Sequence, residues 1–230
     1  MMVSSDIVGM LLKEHRTDIT WRQTTNYAAA IGDMNPRYID DRREDGIIAH
    51  PMFAVALSWP IVQNLYDYIA LPFPPEILNT MVHYTECLEF VRPIRPGDRL
   101  SIQGRVAAVI PEKSGTHMIF EFSAADDEGK LVYTEHTGAM LRGIGCVGPA
   151  RSLPEVPVLQ TRRDDGACLW TTEVAISPAA PYVYDGCTDI VFPIHTSPRF
   201  AEAVGLPGIL LQGTATLALA VSRVINRELD

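Results

Sequence analysis

The sequence predicts an α+β protein in which an antiparallel sheet wraps around a long central helix, a unit that the second half of the chain begins to repeat. Three observations carry this expectation. A long apolar stretch at residues 52–69, with side chains at helical intervals, is followed by four short segments rich in β-branched and aromatic residues, joined by tight turn-like connectors. A helix so apolar has to be covered on most sides, and a four-strand meander folding over it does that. A second series of strand, small helix, proline-containing polar loop and long apolar helix then runs to Asp230 without further strands.

Along the chain, residues 19–22 lead into an alanine-containing helix at 24–31, which Gly32 ends before the polar loop Asp33-Met34-Asn35-Pro36. Residues 40–45 form a charged, exposed loop. In the central helix Phe53, Ala56, Leu57, Ile61 and Leu65 recur at helical spacing, and Pro60 marks a kink. The strands fall at 81–90, 99–109, 116–124 and 131–141, with turns at Arg95-Pro96-Gly97-Asp98, 111–115 and 126–130. Glycine, proline and charge dominate residues 143–165, so 146–167 is taken as a linker between a first unit, 1–145, and a second, 168–230. In the second unit a strand is expected at 169–176, a loop at 181–195, a short helix at 200–204 ended by Gly205, and an apolar helix at 214–225. That last helix has no strands to cover it, and a soluble monomer rarely exposes so large an apolar face. The second unit is therefore expected to be incomplete, with a fragment favoured over a helix covered by another chain.

Composition bounds the function. With 230 residues, 47% of them apolar and 20% charged, the chain can bury a sizeable core, and two modest domains fit better than one. A formal net charge of −9 argues against a nucleic-acid partner. Arg92, Arg95, Arg99 and Arg105 cluster in sequence, where decorating a strand surface is the default role and binding a phosphorylated group the less common one. Cys87, Cys146, Cys168 and Cys187 form no CxxC pair, so neither a zinc site nor a disulfide framework is suggested, and reduced thiols point to the cytoplasm. The first nineteen residues are too broken by charge for a signal peptide or membrane helix. No Gly-x-Ser-x-Gly elbow, P-loop or dinucleotide glycine fingerprint is present.

The informative strings lie in the polar loops. Residues 188–195 read TDIVFPIH and residues 205–213 read GLPGILLQG. Here the chain resembles the MaoC-like hydratases, whose motif is an Asp, an Asn-Pro-Ile/Leu-His run, a Gly-Phe/Leu and a His-Gly dipeptide. Pro193-Ile194-His195 match the Pro-Ile-His, Gly205-Leu206 the Gly-Leu, and Gln212-Gly213 stand where His-Gly is expected. In the first half Gly32-Asp33-Met34-Asn35-Pro36 is similar to the same loop, but Tyr38 occupies the histidine position. The run from Arg92 to Asp98 resembles the family's Arg-Pro-Ile-x-Pro-Gly-Asp turn. The resemblance covers most of residues 20–142 and 168–227 and implies a double hot-dog fold with a degenerate first site.

What the resemblance implies chemically is reversible hydration of the 2,3 double bond of an enoyl thioester, carried by CoA or an acyl carrier, with R configuration at C3 and no metal or redox cofactor. An Asp and a His hold the water and move its protons, a task suited to a carboxylate and an imidazole near neutrality. His195 is the expected catalytic histidine. In family register the aspartate position falls on Ile190 and the asparagine position on Phe192, while Asp189 lies one residue early. A local bulge would present Asp189, the second catalytic candidate, to the water; a plain one-residue slip would turn it away. The Gly213 N–H at the start of the last long helix is the expected donor to the thioester oxygen. Gln212, Asp33 and Asn35 are candidates for substrate binding, each with a capping alternative, and His50 is expected to be structural. Pairing of the two units side by side, and association as a homodimer or with another hot-dog chain, follow from the resemblance. Two other functions stay open: thioester hydrolysis on the same scaffold, and a non-catalytic partner subunit of a heteromeric hydratase.

Overall fold

The computed structural model describes residues 1–158, 166 and 168–229. In chain order the elements are β1 (Met2–Ser4), β2 (His15–Asp18), α1 (Trp21–Ala30), α2 (Pro36–Ile39), α3 (Phe53–Gln63), α4 (Leu65–Tyr68), β3 (Met81–Phe90), β4 (Arg99–Glu112), β5 (Gly115–Ala125), β6 (Leu131–Arg142), β7 (Gly145–Val147), β8 (Arg151–Ser152), α5 (Ala180–Thr188), α6 (Pro198–Ala203) and α7 (Gly213–Glu228). An antiparallel sheet in the order β2-β4-β5-β6-β3, with β8 added beside β4, wraps around α3. This is the α+β hot-dog arrangement that the sequence predicts.

Each element has a local cause. Helix α1 starts in a capping box: the Thr20 hydroxyl accepts from the Gln23 N–H, while the Gln23 amide oxygen accepts from the Thr20 N–H at 2.9 Å. Helix α3 buries Phe53, Ala54, Val55, Leu57, Ser58, Ile61 and Val62, too many positions for a one-sided helix, so it needs the sheet around it. The helical stretch expected at 52–69 is broken at Asn64 rather than at Pro60; the Asn64 side-chain amide and its backbone N–H both bond the Pro60 carbonyl, and α4 resumes at Leu65. The turn around Gly97 uses a φ of +92°, open to glycine, and ties Ile19 to the sheet through Gly97 N–H to Ile19 O and Ile19 N–H to Asp98 O.

Three further expectations differ from the fold. The start of the expected linker is paired into sheets: β7 runs parallel to β1, and β8 lies on β4, where Leu153 and Val156 cover Ala107, Ala108 and Ile119 on the outer face. The burial of that apolar patch explains why a Gly/Pro-rich segment is ordered there. Residues 159–165 and 167 of the expected linker lie outside the described residues. The alternating stretch 169–176 forms no strand and pairs with no described strand, and Leu169 is 92% exposed. The expected loop at 181–195 begins with helix α5, because Pro181 sits harmlessly in the first turn and Pro181, Tyr184 and Thr188 give it a buried stripe at helical spacing.

The second half shares the core of the first: Tyr184, Ile190, Ala215 and Ala218 belong to the same buried cluster as the residues of α3 and the sheet. Helix α7 packs through a stripe of small side chains, Thr214, Ala215, Ala218 and Ser222. Among the described residues no helix is long and apolar enough to cross a membrane.

Candidate active site

A cavity of about 260 Å³ opens where α3, β3, β6 and the start of α7 meet. Its walls are mainly apolar, with Val55, Trp59, Val62, Met81, Phe120, Ile190 and Phe192 among them. His83, Glu135, Ser58, Thr137, His195, Gln212 and the Gly213 backbone supply the polar points.

His195 reaches this cavity from a short 3-10 turn, Pro193–His195, that follows the extended Phe192. Its ring is fixed by a 2.8 Å hydrogen bond between Nδ1 and the Leu210 carbonyl. A carbonyl only accepts, so Nδ1 carries the proton and Nε2 the lone pair. Burial lowers the imidazole's proton affinity, opposed by the Leu210 bond and the charge of Asp185, which favours the neutral base at pH 7. Burial in turn pushes the Asp185 carboxyl up, against the influence of His195.

Asp189 is not brought to this site. It ends α5 in the left-handed conformation, φ +57°, the position Gly32 takes after α1 at φ +65°, and its exposed side chain is not among the cavity's walls. Ile190, 2% exposed, turns inward instead, with its N–H on the Thr188 hydroxyl. The loop therefore makes a helix stop rather than the bulge that would present Asp189.

Gly213 begins α7, and among the described residues no side chain caps that helix, which leaves its first N–H donors open to a ligand. Gln212, 1% exposed, donates from Nε2 to the Pro181 carbonyl at 3.0 Å, tying α7 to α5, while its Oε1 has no partner among the described residues.

Asp33 and Asn35 do not line the cavity. The buried Asp33 carboxylate accepts from the Ser222 hydroxyl, from Asn226 Nδ2 at 3.2 Å and from the Asn35 N–H at 3.1 Å; Asn35 Nδ2 donates to Asn226 Oδ1 at 2.8 Å, and Asn35 also caps α2. Both are clamps on α7. His50, fully buried, accepts the Met52 N–H at Nδ1, lies 3.9 Å from Asp33 and stacks on Tyr27; burial pushes it down to about 4, with Asp33 opposing, so it stays neutral and structural.

Three polar residues escape the sequence reasoning. His83 Nε2 bonds Glu86 Oε2 at 2.9 Å. Glu135, fully buried on β6, accepts the Ser58 hydroxyl at 2.8 Å and leaves Oε2 without a partner among the described residues. Burial foremost, and then the Glu86 charge, holds the Glu135 carboxyl well above the usual range; burial likewise pushes Glu86 up to about 8, opposed by the Thr137 hydroxyl. Three members of the arginine cluster, by contrast, are spent on ion pairs, Arg92 with Asp98 and Asp126, Arg99 with Asp127 and Arg105 with Glu121, and Arg95 donates to the Asp45 carbonyl at 2.7 Å. The described residues hold no group of three His, Cys, Asp or Glu side chains placed to bind a metal ion.

Against known proteins, the profile of the FAS1-like, dehydratase domain region matches residues 6–135, more than half of the chain. The chain is 24% identical over 205 residues to the enoyl-CoA hydratase ChsH3 of Mycobacterium tuberculosis, covering 86% of itself and 67% of that protein. It is 25% identical over 223 residues to the peroxisomal multifunctional enzyme type 2 of Drosophila melanogaster, covering 91% of itself but 36% of that longer protein. Among solved structures, a MaoC-like dehydratase from Phytophthora capsici superposes with a TM-score of 0.76 at 21% identity, over 96% of this chain and 76% of that one.

Proposed function

The chain belongs to the FAS1-like dehydratase-region family, a MaoC-like hot-dog group, and from that premise we propose that it hydrates enoyl thioesters and dehydrates 3-hydroxyacyl thioesters reversibly. The observation that carries this reading is the meeting of three features in one apolar cavity: the His195 ring locked by Leu210, the uncapped start of α7 at Gly213, and walls that suit an acyl chain.

In this reading the acyl chain lies along α3 and β6, and the thioester oxygen faces the Gly213 N–H. Positive charge at a helix N-terminus stabilises the enolate oxygen as it forms, and the absence of a Cβ lets the acyl group approach the backbone. His195 Nε2 accepts a proton from water as its oxygen attacks C3. The first unit supplies sheet, helix and acyl walls, and the second the catalytic loop. Gln212 acts by holding α7 on α5, and Asp33 and Asn35 by holding its far end. CoA or an acyl carrier presents the thioester, in the cytoplasm, and the protein pairs with itself or another hot-dog chain.

Hydration is favoured over thioester hydrolysis because the relatives bear hydratase and dehydratase names. The experiment that tests the reading follows enoyl absorbance and free thiol together, with crotonyl-CoA and longer or carboxylated enoyl-CoAs. Loss of conjugation without thiol is expected for at least one substrate. Thiol release matching the absorbance loss would replace hydration with hydrolysis.

A further inference from the structure

The residue that stands in the motif's aspartate position, Ile190, cannot handle a proton, yet adding water across a double bond moves two: one leaves the water at C3 and one arrives at C2. His195 serves one of these steps. The same cavity is lined by His83, on β3, whose ring lies beside the first residue of α7: a Cβ built on Gly213 would sit 3.6 Å from its Nδ1. Its other nitrogen is bonded to Glu86 at 2.9 Å, with the Glu86 side chain 2% exposed behind it.

This pair exists because of a backbone irregularity. Residues three apart on a regular strand point to opposite faces. On β3 the register shifts at Tyr84: His83 opposes Ala139 and Glu86 opposes Thr137, two positions apart on β6 and therefore on one face. The extra residue turns both side chains inward, a use of β-bulges that recurs beside reactive sites.

We propose that His83, backed by Glu86, is a second catalytic residue of this cavity, the group that carries the proton to and from C2 of the thioester. The inference rests on the hydration reading. In the hydration direction water gives its proton to His195 Nε2 as the O–C3 bond forms, and the π electrons of C2=C3 pass to the thioester oxygen as an enolate. The enolate pair then forms the C2–H bond with the proton on His83 Nδ1, while His83 Nε2 takes the Glu86 carboxyl proton. One proton has been gained by His195 and one lost by the dyad, and transfer between them through solvent restores the site. Glu86, pushed up to about 8 by burial, is able to hold that reserve proton at neutral pH. Burial keeps the His83 ring neutral. Among the described residues Glu135 on β6 and His195 are the other ionisable groups facing the cavity, and from α3 and α7 only uncharged groups reach it. Glu86 is a positioning and relay residue, since it does not line the cavity.

The test compares wild type, His83→Gln, Glu86→Gln and Glu86→Asp in crotonyl-CoA hydration, with binding of saturated butyryl-CoA followed by the fluorescence of Trp59, a cavity wall. His83→Gln is expected to bind butyryl-CoA within threefold of wild type and to lose about 100-fold or more in kcat with little change in KM, the usual scale of a lost general acid. Glu86→Gln should lower kcat less and displace the alkaline limb of its pH profile, and Glu86→Asp should recover part of both. A His83→Gln protein that binds butyryl-CoA normally and keeps kcat within threefold overturns the assignment. Should it fail to bind, His83→Asn is read by the same criteria. A wild type that binds butyryl-CoA but hydrates no enoyl thioester refutes the hydration reading itself, and the inference falls with it.

Discussion

Two buried carboxyls beneath an apolar pocket make an unusual demand on residue-scale electrostatics. Glu135 and Glu86 share the inner face of β6 and β3, and burial favours both in their neutral forms, with the Glu86 charge adding to the effect at Glu135. Because their folded proton affinities exceed those of the unfolded chain, the folded state holds more protons above pH 4.5. Their contribution to stability is full below that pH and is lost as pH rises toward about 8, the value for Glu86. Glu135→Gln keeps an acceptor for the Ser58 hydroxyl and removes the titrating group. Urea unfolding should show it more stable than wild type by roughly 2 kcal/mol at pH 8 and little changed at pH 5. A parallel displacement at both pH values would contradict the burial argument. His195 was legible in the sequence because Pro193, Ile194 and Gly213 surround it in register. Glu135 was legible in principle, as a carboxylate among Tyr133, Thr137 and Ala139 on the inward period of β6, but four strands of ordinary alternation hide one such exception.

Elements decide what those residues can do. The strands of the meander begin and end close to where alternation and turn residues put them, since each boundary has a local cause such as Gly97 or the Asp126 turn. The bulge at Tyr84 has no such signal, and without it His83 and Glu86 read as facing opposite ways. Helix α5 was hidden for a different reason: Pro181 and Gly186 are breakers by propensity, overridden by the packing of Tyr184 and Thr188. Helix α7 carries Gly213, and its placement depends on Asp33, which accepts from Ser222 and Asn226 at its far end. Bonds to a charged acceptor contribute about 1.5–3 kcal/mol each. Asp33→Ala should therefore lower stability by roughly 2–4 kcal/mol in chemical denaturation, and reduce hydration through a displaced α7. Wild-type stability in this variant would mean that the clamp does not hold the helix.

At the scale of the whole molecule the two halves meet about a pair of equivalent tyrosines. Tyr27 of α1 and Tyr184 of α5 lie 157 residues apart with hydroxyls at 3.0 Å, and the same separation relates Gly32 to Asp189, Pro36 to Pro193 and Tyr38 to His195. The arrangement has the logic of a symmetric dimer joined in one chain, with the His195 loop set at the cavity and the Asp33 loop clamping α7. Tyr184 also donates to the Thr214 hydroxyl at 3.2 Å, which links this centre to the start of α7. Tyr27→Phe and Tyr184→Phe should each cost about 1 kcal/mol, with a double-mutant coupling of comparable size; strict additivity would show that the hydroxyl pair does not join the halves. Family membership and the repeated loops were readable from the sequence. The common core was not, since it depends on which side chains meet across the two halves.

The most direct test of the central claim is the initial rate of conjugated-enoyl absorbance loss for wild type and His195→Gln, measured in parallel on folded protein with the best substrate of the enoyl-CoA panel. Hydration by the wild type and a fall of about 100-fold or more in kcat for the variant are expected, the scale of a removed general base. A variant that hydrates at the wild-type rate would contradict the claim.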